Sequence, residues 1–120
     1  MAGIISLPED LEEKLTALRA KVCVGYPWWL RPLMSRNVVA ITLGRRIYVL
    51  PSYVERSRDE VTRLIRHELA HVRQVARHGL IRFLALYVLE FVRHLRRTRS
   101  FDAAYHSISF EVEARQAEVE

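Results

Sequence analysis

A carboxylate in the middle of an apolar helix face is the feature that most constrains this chain. At 100° per residue, Val61, Leu64, Ile65, Leu69, Val72, Val75 and Ala76 fall on one continuous arc, the stripe of an amphipathic helix facing a core. Arg63, Arg66, Arg73 and Arg77 take the opposite side, with His67 and His71 on the border. Glu68 lands inside the apolar arc, where a lone carboxylate costs several kcal/mol. A local rule broken in this way points to a functional site.

The stretch His67-Glu68-Leu69-Ala70-His71 gives that site a chemistry. Histidines four apart on a helix lie about 40° apart around it and about 6 Å apart along it, so both imidazoles can reach one ion. This is the His-Glu-x-x-His pattern of zinc-dependent hydrolases, in which the glutamate is the candidate base for water. Catalytic zinc takes three protein ligands and leaves a position open. A metzincin arrangement is excluded, because Gln74 and Arg77 stand where its glycine and third histidine would be. His78 lies about 10 Å further along the axis, out of reach of the same ion. Glu111, Glu113, His94 and His106 remain as third-ligand candidates. Glu111 and Glu113 are two apart and face different sides of a helix. The apolar stripe of Phe110, Ala114 and Ala117 favours Glu113 as the inward one.

With 120 residues the chain is one domain with a modest core. Half of it is apolar, ordinary for a soluble globular chain. The single cysteine, Cys23, excludes an intramolecular disulfide and a multi-thiolate zinc site. No signal peptide or transmembrane helix is apparent, so the expected location is cytoplasmic. Net charge is +5, and with Lys14 and Lys21 the only lysines the 19 basic residues are nearly all arginine. That surplus suits an acidic partner or simply reflects exposed positions filled by arginine.

In chain order, Leu7, Leu11, Leu15, Leu18 and Val22 predict a helix over 7–22, with Ser6 and Glu9 as a capping box. It belongs to a 1–36 segment that ends in an aromatic stretch with Trp28 and Trp29, which could wall a cleft or pack the first helix onto the rest. Residues 38–50 predict a β-hairpin turning at Gly44-Arg45-Arg46, whose edge could hold an extended peptide by strand addition. Ser57 and Glu60 open the 57–78 motif helix and Gly79 closes it. The very apolar 80–97 helix reads as a buried central helix. The cluster Arg93, His94, Arg96, Arg97, Arg99 also allows weak contact with an anionic membrane or nucleic acid. Residues 100–107 read as a loop and 108–120 as a last helix.

The succession of "IYVLP", "RHELAHVRQ", "HG" with an apolar helix, and "AYHSISFEVEARQAE" resembles the small gluzincin-type metallopeptidases called minigluzincins, over about two-thirds of the chain. The resemblance implies a mostly helical, minimal zincin-like α+β domain with a short β-hairpin before the zinc helix. It implies one Zn²⁺ held by His67, His71 and Glu111, and it favours Glu111 over Glu113. It also implies Glu68 as catalytic base, and Tyr105 and Glu118 as matches to the family's tyrosine and a later acidic residue. Tyr105 or Tyr53 could assist an oxyanion, although packing explains either ring. Ser109 stands where relatives often have proline, and Arg115 where many gluzincins have aspartate. The expected activity is zinc-dependent hydrolysis of a peptide or protein substrate. The alternatives are a zinc-stabilised, non-catalytic or latent binding module and a basic peripheral protein. Oligomeric state is not legible.

Overall fold

The computed structural model describes residues 7–33 and 38–119. It is α+β, mostly helical, with one three-stranded sheet. The helix α1 (Glu9–Ala17) is followed by strands β1 (Lys21–Val24), β2 (Ala40–Leu43) and β3 (Arg46–Val49). Then come α2 (Arg58–His78), α3 (Leu80–Thr98), α4 (Phe101–Ser107) and α5 (Ser109–Ala117).

The helix predicted over 7–22 is shorter than its periodicity suggests. It stops at Ala17, Arg19 turns into the left-handed region at φ 54°, and Ala20 N–H donates to Leu15 O at 2.8 Å. Val22, Cys23 and Val24 then pair in parallel with Ile47, Tyr48 and Val49. β-Branched residues fit a pleated surface, and the pairing covers an edge that β3 would otherwise leave open. Leu18 and Val22 still pack on the core, but from a turn and a strand. The Ser6 half of the proposed capping box lies outside the described residues, and Pro8 precedes α1 without a side-chain cap.

The hairpin forms as predicted. β2 runs antiparallel to β3 with Leu43 opposite Arg46, leaving Gly44 at φ 63° in a two-residue turn. β3 is central in the order β1-β3-β2, and β2 is an edge. Ile47 and Val49 pack against Leu11 and Leu15 of α1 and against Val61, Ile65, Leu69 and Val72 of α2. This cluster fixes which side of α2 faces away from the sheet.

Ser57 Oγ accepts from Glu60 N–H at 3.3 Å and caps α2. We expect Ser57→Ala to cost about 1 kcal/mol, read as a lowered thermal midpoint. Gly79, at φ 81° and ψ 153°, occupies a region essentially reserved for glycine and turns α2 directly into α3. On the far side of α2, Ala70 meets Ala114 and Ala117, and these small side chains let α5 approach closely.

Three expectations are corrected here. Residues 101–107 are helical, not a loop, with Ser100 Oγ accepting from Ala103 N–H at 3.2 Å. The helix α3 is not buried: of its apolar residues only Phe83 is, while Ile81 is 85% and Val88 57% exposed. Trp28 and Trp29 are exposed, so neither packs α1 onto the rest; among the described residues of that segment Leu30 is the buried one. Glu90, which interrupts the apolar run of α3, accepts from Ser109 Oγ at 2.7 Å and from Ser109 N–H at 3.3 Å. A carboxylate there satisfies an otherwise uncapped helix start.

Candidate metal centre

His67 and His71 stand on successive turns of α2 with ring centroids 5.1 Å apart. Their Nε2 atoms each lie 3.1 Å from the same oxygen, Glu111 Oε1, delivered from α5. Glu111 is buried, while Glu113 is exposed and accepts from Gln74 Nε2 at 3.3 Å. The structure thus brings Glu111 rather than Glu113 to the histidine pair. His94 and His106 are not part of the group: His94 Nδ1 accepts from Arg97 at 2.9 Å, and His106 Nδ1 donates to Asp102 O at 2.8 Å.

The opposite edges of the two imidazoles are also fixed. His67 Nδ1–H donates to Glu118 Oε2 and His71 Nδ1–H to Gln74 Oε1, both at 2.9 Å. Gln74 is buried and oriented in turn, donating from Nε2 to Phe110 O at 3.0 Å. With Nδ1 protonated, the Nε2 lone pairs of neutral imidazoles point at a carboxylate oxygen. Three electron-pair donors this close together require positive charge between them, supplied by a metal ion or by protons on Nε2. The donor set, two imidazoles and a carboxylate within 4.8 Å of one another, fits a zinc site with outer-shell support. That support comes from Glu118 and Gln74, so Arg115 in place of an aspartate leaves no gap.

Electrostatics agree with the geometry. Burial works to lower the His67 pKa, but the Glu111 and Glu118 carboxylates outweigh it and hold it at about 9. His71 is raised, against its burial, by Glu111. Burial tends to raise Glu111, yet both histidines and the Tyr87 hydroxyl hold it well below the usual carboxylate range. Without a metal, protons take the place of the cation.

Glu68 lies one residue after His67 and is buried, with Oε2 accepting from Thr42 Oγ1 of β2 at 2.7 Å. This contact supplies the partner that a carboxylate on a core-facing arc requires. Beside Glu68 runs a cleft of about 480 Å³ between the β2 edge and α3, lined by His71, Glu111, Leu43, Phe83 and Leu84 among others. A more polar cleft with His67, Glu60, Arg63 and Glu118 adjoins it, and the two share Ala40, Glu68 and Tyr105. The β2 edge therefore flanks two adjoining clefts, with the candidate metal-binding trio of His67, His71 and Glu111 divided between their linings.

Two tyrosines reach the site. Tyr87 of α3 donates to Glu111 Oε2 at 2.7 Å, and burial and that carboxylate push its hydroxyl pKa up. Tyr105 of α4 lines both clefts and is raised by burial and by Glu111 and Glu68. Tyr53 lies on the polar side, packed on the core beneath the Arg56 guanidinium. Sequence reasoning missed Tyr87 and the roles of Thr42 and Gln74. A lone hydroxyl in the apolar run of α3 was the available signal for the first.

Residues 31–79 match the model of the eCIS core domain, a domain of extracellular contractile injection systems. The match covers less than half of the chain. It contains the hairpin and α2 with His67, Glu68 and His71, and it ends before α3 and Glu111. No curated protein and no solved structure matches the chain. The likeness to gluzincins rests on the motifs quoted above.

Proposed function

We propose that this protein is a zinc-dependent peptide hydrolase of gluzincin type. The observation that carries the reading is the convergence of His67 Nε2, His71 Nε2 and Glu111 Oε1 beside the buried carboxylate of Glu68. Zinc held there would lower the pKa of a water molecule and polarise a scissile carbonyl. Glu68 takes a proton from the attacking water as its oxygen bonds to the carbonyl carbon. It passes that proton to the nitrogen as the C–N bond breaks, leaving a carboxylate and an amine. Tyr105, at the junction of the two clefts, is the hydroxyl available to a developing oxyanion. The β2 edge can hold the substrate backbone in extended form. On the match of residues 31–79 to the eCIS core domain, the setting proposed for this activity is an extracellular contractile injection system.

The test is cleavage of labelled casein by the zinc-loaded protein. Release of fragments should stop on chelation and return when zinc is restored. Loss of thermal stability on chelation, with no cleavage at any stage, would replace the hydrolase with a zinc-stabilised binding module.

A further inference from the structure

We propose that the outward face of α3 docks on an anionic lipid bilayer. On a helical wheel Leu80, Leu84, Val88, Ile81, Val92 and Leu89 span a half-turn arc; Arg96 falls inside its Leu89 end, and Arg82, Arg93 and Arg97 continue along that one side. All six aliphatic residues are exposed, Ile81 to 85%. An exposed contiguous apolar face rimmed by polar residues marks an interaction surface. At its C-terminal end, Leu89 and Val92 floor a groove of about 440 Å³ flanked by Arg93, Arg96 and Arg97. Apolar floor and guanidinium rim match the acyl chain and phosphate of one acidic lipid.

Charge selects among the occupants. The only acidic residue of α3 is Glu90, and it is engaged by Ser109. A second copy packed on this face, parallel or antiparallel, brings arginines to arginines with no carboxylate between them. Nucleic acid would satisfy the arginines but leave six aliphatic side chains in water. None of the described helices is long and apolar enough to cross a membrane, so α3 lies in the interface plane. Leu80 and Leu84 also line the cleft beside Glu68, so the docked cleft opens at the lipid surface. The surface is independent of the metal chemistry, and its test reads binding alone.

The experiment is flotation of the full chain with phosphatidylcholine vesicles, alone and mixed with phosphatidylglycerol, with and without chelator. Binding should require the anionic lipid and weaken with salt. Replacing Arg93, Arg96 and Arg97 together by glutamine should lower partitioning roughly a hundredfold, at about 1 kcal/mol per arginine. The double variant Ile81→Ser, Val88→Ser should lower it at least about tenfold with an unchanged melting curve, since both side chains are exposed. Equal partitioning to both vesicle types, or none, overturns the proposal. So does a dimer broken by Ile81→Ser with no vesicle binding, or duplex DNA binding that survives the double variant while vesicles are ignored.

Discussion

Glu111→Ala should abolish stoichiometric zinc binding, whereas Glu113→Ala should leave it intact. The first substitution removes the oxygen on which both Nε2 atoms converge, and two imidazoles from one helix are left as the whole protein contribution. The loss of affinity should exceed the roughly 10–100-fold that follows removal of an outer-shell partner, which is the effect expected of Glu118→Gln on the His67 side. Among the described residues Glu113 accepts from Gln74 at the edge of the site, so its removal should act through His71. Metal content by mass spectrometry after dialysis separates the two variants. The metal-free protein supplies a second readout. The Glu111 carboxylate does most to raise both histidines against their burial. In Glu111→Ala their titration, followed by NMR of the imidazole protons, should move down in pH. Because zinc must displace a proton from His67, wild-type affinity should rise with pH up to about 9. Zinc retained at full stoichiometry by Glu111→Ala would show that another group completes the set.

Those ligands were unevenly legible in the sequence. The helix from Ser57 to Gly79 carries its own start and stop signals, and a helix fixes the spacing of residues four apart. His67, Glu68 and His71 therefore follow from local geometry. The choice between Glu111 and Glu113 does not. On the wheel Glu111 lies about 95° and Glu113 about 65° from the centre of the Phe110, Ala114, Ala117 stripe. That difference is smaller than the roll available to a short helix. Ala114 and Ala117 settle the roll by seating α5 against Ala70 of α2, a contact between elements some forty residues apart. The motif resemblance named Glu111 where periodicity favoured Glu113. β1 was hidden for a related reason. Leu18 and Val22 satisfy a helical period, and only the partner strand β3 reveals that Val22 belongs to a sheet. Hydrophobicity misled on α3, because an apolar helix looks the same on paper whether a core covers it or a partner does. Glu90 and Tyr87, two polar interruptions on that helix, mark the sides that face α5 and Glu111.

Glu68→Gln should retain zinc and the fold while peptide hydrolysis falls by on the order of 10²–10⁴. Glutamine keeps the shape of the side chain, and its carbonyl oxygen can still accept from Thr42 Oγ1, which holds Glu68 at 2.7 Å in the wild type. The change therefore costs neither a cavity nor an unsatisfied hydroxyl, and His67 Nε2, His71 Nε2 and Glu111 Oε1 are untouched. What disappears is the ability to take a proton from water and return it to the leaving nitrogen, for which an amide has no suitable basicity. Replacing a buried carboxylate by a neutral amide on an otherwise apolar arc should leave thermal stability the same or higher. That direction distinguishes a residue kept for chemistry from one kept for packing. Single-turnover cleavage, metal content and a melting curve on the same preparation make the comparison. Cleavage at the wild-type rate would remove Glu68 from the mechanism, and a lowered melting point with zinc lost would make its role structural.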